Sequence, residues 1–127
     1  MERVKYELEF PFNCSAQKLY EYISTSHGLL RWFANDVTED DNGKFKFTWD
    51  DIQVHGVIDK KKRNKFIRFH IEENPEGEYF ELRIESNEIT KDNALIITDF
   101  SLINEKQDYI DLWNYQIKIL QDLINEE

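Results

Sequence analysis

The chain has 127 residues and a formal net charge of −10. That is enough length for one hydrophobic core in a single domain spanning 1–127, and the wrong sign for a nucleic-acid-binding face, which needs clustered Lys and Arg. A lone cysteine, Cys14, excludes an intrachain disulfide; with no signal-like segment before the first strand and no apolar run of membrane-spanning length, the expected location is the cytoplasm, without membrane insertion.

Residues 4–10 alternate cleanly, with Val4, Tyr6, Leu8 and Phe10 on one side and Lys5, Glu7 and Glu9 on the other, the period of a half-buried strand. Pro11 is expected to end it. Residues 15–24 read as a helix with Ser15 as N-cap and Ala16, Leu19 and Ile23 at helical spacing; Cys14 and Leu19 hold the positions of a hydrophobic staple. After a break at Ser26-His27-Gly28, a second short helix carries Leu30, Trp32 and Phe33. Burying a large side chain is worth about 1.5–3 kcal/mol, so these three cannot all face water cheaply. Trp32 and Phe33 therefore either close the core or rim an entrance for an apolar ligand.

Four turn signals follow, at 40–43, 50–51, 61–64 and 74–77. An Asn42-Gly43 loop pairs Glu39 with Lys46. A turn at Asp50-Asp51 pairs Phe47 with Val54 and Phe45 with Gly56. Loops of four residues at the last two turns pair Ile58 with Ile67, Gly56 with Phe69, Phe69 with Leu82 and Ile67 with Ile84. One apolar face then runs through four consecutive strands, and a one-residue slip in any hairpin would destroy it. In residues 94–102, Ile96, Phe100 and Leu102 are expected to face inward, which leaves Asp99 and Ser101 outside.

The segment from Asn104 onward reads as a long helix, with Asn104 and Gln107 spaced as a capping box. Ile110, Trp113, Ile117, Leu120 and Ile124 form its core stripe, with Tyr109 at the edge; Leu112, Ile119 and Leu123 widen it on one side. So wide an apolar arc needs to be wrapped by a sheet.

On these readings the inner face consists of Val4, Tyr6, Leu8, Phe10, Phe45, Phe47, Trp49, Val54, Ile58, Ile67, Phe69, Ile71, Phe80, Leu82 and Ile84. It holds no carboxylate, histidine or lysine, and general acid–base chemistry needs a titratable group in a partly dry site. The expectation is a domain that is not an enzyme and takes no cofactor. His55 and His70 fall opposite each other in the derived register, but on the outer face beside Lys46, so a metal site is not expected. The basic run at 60–65, KKKRNK, reads as a solvated hairpin tip, with anionic headgroups or an acidic partner patch as the alternative.

The order strand, two short helices, six strands and a long terminal helix resembles the helix-grip fold of the START-like superfamily. The α+β architecture implied is a curved antiparallel sheet of about seven strands wrapped around the C-terminal helix. The stretches ISTSHGLLRWFANDV (23–37), GKFKFTW (43–49), TDFSL (98–102) and LWNYQIKIL (112–120) are similar to those of the heat shock protein 90 ATPase-activator-like branch. The resemblance spans the whole chain. It implies a non-catalytic domain that binds a small hydrophobic, lipid-like ligand between sheet and helix, with Trp32, Phe33, Phe45, Phe47, Trp49, Phe69, Leu82, Phe100, Trp113 and Ile117 as candidate lining. The alternative is a chaperone-associated or self-associating domain that uses Leu112, Ile119 and Leu123.

Overall fold

In a computed structural model, residues 2–90 and 92–126 are described; the ends of the expected domain, 1 and 127, lie outside them. Strand β1 (Arg3–Phe12) is followed by helices α1 (Ala16–Ser24) and α2 (Ser26–Leu30). Six strands come next: β2 (Asp36–Glu39), β3 (Phe45–Trp49), β4 (Ile52–Lys62), β5 (Phe66–Ile71), β6 (Phe80–Ser86) and β7 (Asn93–Leu102). A 3-10 turn at Ile103–Glu105 leads into α3 (Lys106–Asn125). The sheet is antiparallel, in the order β1-β7-β6-β5-β4-β3-β2. This is the expected helix-grip α+β fold.

The helices are placed by capping and close approach. Ser15 Oγ accepts from the Lys18 amide at 3.1 Å, as expected of an N-cap, and Thr25 does the same for Gly28 at 2.9 Å. Cys14 packs half-buried against the core to which Leu19 belongs. A Cβ on Gly28 would lie 2.2 Å from the Glu21 carbonyl oxygen, so the α1–α2 corner closes only with glycine there. Leu30 remains 39% exposed, whereas Trp32 and Phe33 are buried.

Several local expectations are corrected. Pro11 does not end β1, which continues to a buried Phe12; β1 is an edge strand, where a missing N–H costs no ladder bond. Across the first hairpin Val37 pairs with Phe47 and Thr38 with Lys46. The shift of one residue from the charge-paired register buries Val37, and Asp40 Oδ1 holds the turn by accepting from the Asn42 and Lys44 amides. The β3–β4 register is as expected. In β4–β5, Ile58 pairs with Phe69 and Gly56 with Ile71, and in β5–β6, Ile67 pairs with Leu82 and Phe69 with Phe80. Both are two residues away from the expected pairing, which leaves the side chains of β5, β6 and β4 up to Ile58 on their expected faces; beyond Ile58 a bulge turns Lys60 and Lys62 outward. His55 and His70 are consequently not opposite each other: Val57 faces His70. No capping box forms on α3, where Glu105 is the N-cap residue without a side-chain bond and Gln107 bonds Asp111 instead.

The main correction is the facing of β7. Leu95 and Ile97 point into the core and are fully buried. Tyr6 faces Asp99 directly across the β1–β7 ladder, so Asp99 shares the inner face. Ile96 and Phe100 lie on the other face, with Phe100 against the Tyr79 ring at 5.2 Å between centroids. The strand lies between two others and is shielded on both sides, with Ile96 and Thr98 only 7% and 6% exposed on its outer face. Alternation of polar and apolar residues therefore has no wet side to mark.

Candidate functional site

The seam between the sheet, the end of α2 and the middle of α3 is organised by Phe33. Its ring lies within 5.1–5.6 Å of the rings of Trp32, Phe47, Trp49, Phe80 and Trp113, in edge-on, tilted and stacked geometries that favour aromatic pairs. Its carbonyl oxygen accepts two side-chain N–H groups, from Trp49 at 2.8 Å and from the buried Gln116 at 2.6 Å. Strand β3, the α2–β2 link and α3 thus meet at one backbone oxygen. The Trp32 indole donates to the Tyr22 carbonyl at 2.9 Å, one of the carbonyls that the end of α1 leaves without a helical partner.

Of the candidate lining residues, Trp32, Phe33, Phe45, Phe47, Phe69, Leu82, Trp113 and Ile117 are all buried in this core, and Trp49 is half-buried at its rim. Phe100 does not join them. The side chains fill the space between sheet and helix with one another: Phe45, Phe47, Phe69, Leu82, Ile117 and Leu120 are each no more than 1% exposed. Two open grooves, of about 460 and 540 Å3, lie elsewhere. One is lined by residues of the β1 end and the last turns of α3, the other by α1 and α2.

An inward carboxylate, missed in the sequence, sits at the edge of the aromatic cluster. Asp99 Oδ2 accepts from the Trp113 indole at 3.0 Å and from the Tyr6 hydroxyl at 3.2 Å. Its Oδ1 accepts from the Phe100 amide at 2.8 Å. Burial pushes the Asp99 carboxyl up to about 6, although these three bonds favour the charged form. Burial and the adjacent Asp99 charge push the Tyr6 phenol up as well. The signal available in the sequence was Trp113 itself, since an indole N–H on a buried stripe requires an acceptor.

On the outer face His55 Nδ1 lies 2.7 Å from Glu73 Oε2, and His70 Nδ1 lies 2.8 Å from the Glu78 carbonyl. Among the described residues no three His, Cys, Asp or Glu side chains converge as metal ligands, and no helix is long and apolar enough to cross a membrane.

Comparison with known proteins fits this architecture. A family model for a START-like superfamily domain matches residues 1–126. None of the curated proteins matches. Among solved structures, BfR322 from Bacteroides fragilis is 35% identical, with 97% of this chain and 92% of that one covered and a TM-score of 0.66. The Aha1 dimer from Colwellia psychrerythraea is 18% identical over 95% and 96% of the two chains at a TM-score of 0.80. SA2116 from Staphylococcus aureus, a protein of unknown function, is 15% identical over 98% and 95% at 0.78. The last two likenesses concern the fold alone. The family match over nearly the whole chain and the 35% identity make this chain a member of the START-like superfamily.

Proposed function

We propose that this START-like domain is a non-catalytic recognition module that works from its surface, through one flank of α3, and not by enclosing a molecule. The observation that carries this reading is the filled interior: the space a hydrophobic ligand would need is occupied by the ring of Phe33 and the rings around it. Both oxygens of Asp99 are engaged by donors of the chain, which suits a structural carboxylate better than a general base.

Of the large apolar or aromatic side chains that reach solvent, Leu30, Ile52, Ile89 and Ile103 lie outside α3, and Tyr109, Leu112 and Tyr115 share it. Leu112 is 43% and Tyr115 67% exposed, and Ile119 and Leu123 are half-buried on the same flank. Helical spacing makes these four one stripe, bordered on the solvent side by Asp111 and Asp122. Self-association or a chaperone of the heat shock protein 90 class fits such a stripe, and the fold likeness to an Aha1 dimer supports testing both. Sedimentation velocity across a dilution series, and again with the chaperone, should reveal a complex that Leu112→Glu abolishes. A monomer throughout, indifferent to the chaperone, contradicts the proposal.

Carriage of a small hydrophobic molecule is the second reading. It is favoured by the position of Phe33 just after a helix of only five residues: swinging that one ring outward would open a void beside Phe80 and Trp113. Saturable binding of a fatty acid by the unmodified protein would decide for it.

A further inference from the structure

The β4–β5 hairpin breaks its own pairing rule at Asp59. Up to Ile58, opposite Phe69, apolar side chains face inward; one extra residue then sets Lys60 opposite Arg68 and Lys62 opposite Phe66. Phe66 and Arg68 point outward, opposite Arg83 and Glu81 of β6. Without the bulge the outward places on β4 would go to Asp59 and Lys61. With it, Lys60 and Lys62 join Arg68 and Arg83 on one outward face around the Phe66 ring, over which the Arg83 guanidinium lies at 4.3 Å.

This arrangement costs the fold stability. Lys60 and Arg68 are like charges directly opposite across two strands, which destabilises a sheet. The acid that could relieve them is already shared: Glu81, 6% exposed, holds Arg68 at 3.0 Å and Arg83 at 3.1 Å. Asp59 and Glu85 are exposed nearby but form no ion pair with the cluster, and among the described residues none of Lys60, Lys62, Arg63 and Lys65 forms one either. Arg68 and Arg83 are held by Glu81 and stacked on Tyr79 and Phe66, but Lys60 and Lys62 are turned outward by the bulge without gaining an ion pair, which marks a place kept for something outside the chain.

We propose that this outward face, formed by Lys60, Lys62, Arg68 and Arg83 around Phe66, docks an acidic segment of a partner protein. The patch lies on a strand face away from both described grooves, so it suits a macromolecule better than a small anion. The chain as a whole carries −10, so an extended polyanion or a membrane surface would meet repulsion around the patch that a short peptide avoids. Phe66 offers such a peptide one apolar contact. The site is on the opposite side of the sheet from α3 and does not depend on the reading of α3 above.

The test is fluorescence anisotropy with a short labelled Asp/Glu peptide that carries one central Phe. Binding at low salt should weaken at least about tenfold in Lys60→Glu/Lys62→Glu and on raising the salt. It should stay unchanged in Lys44→Glu/Lys46→Glu, which alters net charge equally. Because Lys60→Glu replaces a like-charge pair with an opposite-charge one, that variant should melt no lower than the parent while losing the peptide. The proposal is overturned by absence of binding at low salt, by equal loss in both variants, or by tighter binding to phosphatidylglycerol vesicles or a short RNA than to the peptide.

Discussion

The indole N–H of Trp113 donates to Asp99 Oδ2 at 3.0 Å, which ties the middle of α3 to strand β7 across the interior. The same oxygen takes the Tyr6 hydroxyl, so β1, β7 and α3 share one part-buried carboxylate. Its energetics give the first expectation. The Asp99 carboxyl is raised from 3.8 to about 6, so between those values the folded protein binds a proton that the unfolded chain has released. Stability from this group is therefore highest below the unfolded pKa, falls as pH rises through the window, and is level above it. Two pKa units correspond to about 3 kcal/mol as an upper order of magnitude.

Glu81 acts in the opposite sense and at lower pH. Burial pushes its carboxyl up, but Arg83 and Arg68 more than offset this and hold it below the usual range, so its contribution is present above the unfolded pKa and lost in stronger acid. Melting temperature followed from about pH 4 to about pH 7 should fall more steeply with rising pH in the parent than in Asp99→Asn. Parallel curves would mean that Asp99 does not titrate in this window.

Trp113→Phe removes a donor from a buried charge while keeping most of the ring. It should cost about 1–3 kcal/mol in urea denaturation. It should also raise the Asp99 pKa further, since a bond to the charged form is lost. A carboxyl-carbon NMR titration reads that shift, and an unchanged or lowered pKa would contradict the arrangement.

Phe33→Ala should cost about 3–5 kcal/mol, the range for deleting a buried aromatic ring. The void it leaves is lined by Phe47, Phe80 and Trp113, and an apolar void of this kind binds small hydrophobic molecules. Indole should raise the melting temperature of the variant and leave the parent unaffected. A similar rise in both would mean that the parent interior already has room.

Two glycines make a graded comparison. At Gly56 an added Cβ would meet the Phe47 ring at 2.9 Å, and at Gly28 it would meet backbone of α1 at 2.2 and 2.7 Å. A ring can turn and a helix backbone cannot. Gly56→Ala should cost about 1–3 kcal/mol, as overpacking does, and Gly28→Ala should cost more, read as the difference in urea midpoints.

The inward face of β3 to β6 was legible in the sequence because apolar and mostly polar side chains alternate between the two faces of those strands. The registers of β4–β5 and β5–β6 were off by two residues at no cost to that reading, since a slip of two preserves facing. Turn length is what alternation does not encode, and the bulge at Asp59 was invisible for the same reason. In β7 the run Leu95-Ile96-Ile97 is apolar on both faces, so one isolated acid was assigned to water by default. The true direction of Asp99 follows from Tyr6 across the ladder and from the hydrogen-bonding need of Trp113, contacts far apart in sequence. The exposed flank of α3 was readable only as an excess of apolar width, which the burial pattern divides into a core stripe and a solvent-facing side.

Native mass spectrometry tests most directly whether the interior is closed. The protein as purified, and again with excess palmitate, should give the bare polypeptide mass, while Phe33→Ala takes up indole one to one. A co-purifying molecule, or one palmitate held stoichiometrically by the parent chain, would show that the space between sheet and helix is a binding chamber and would contradict the account.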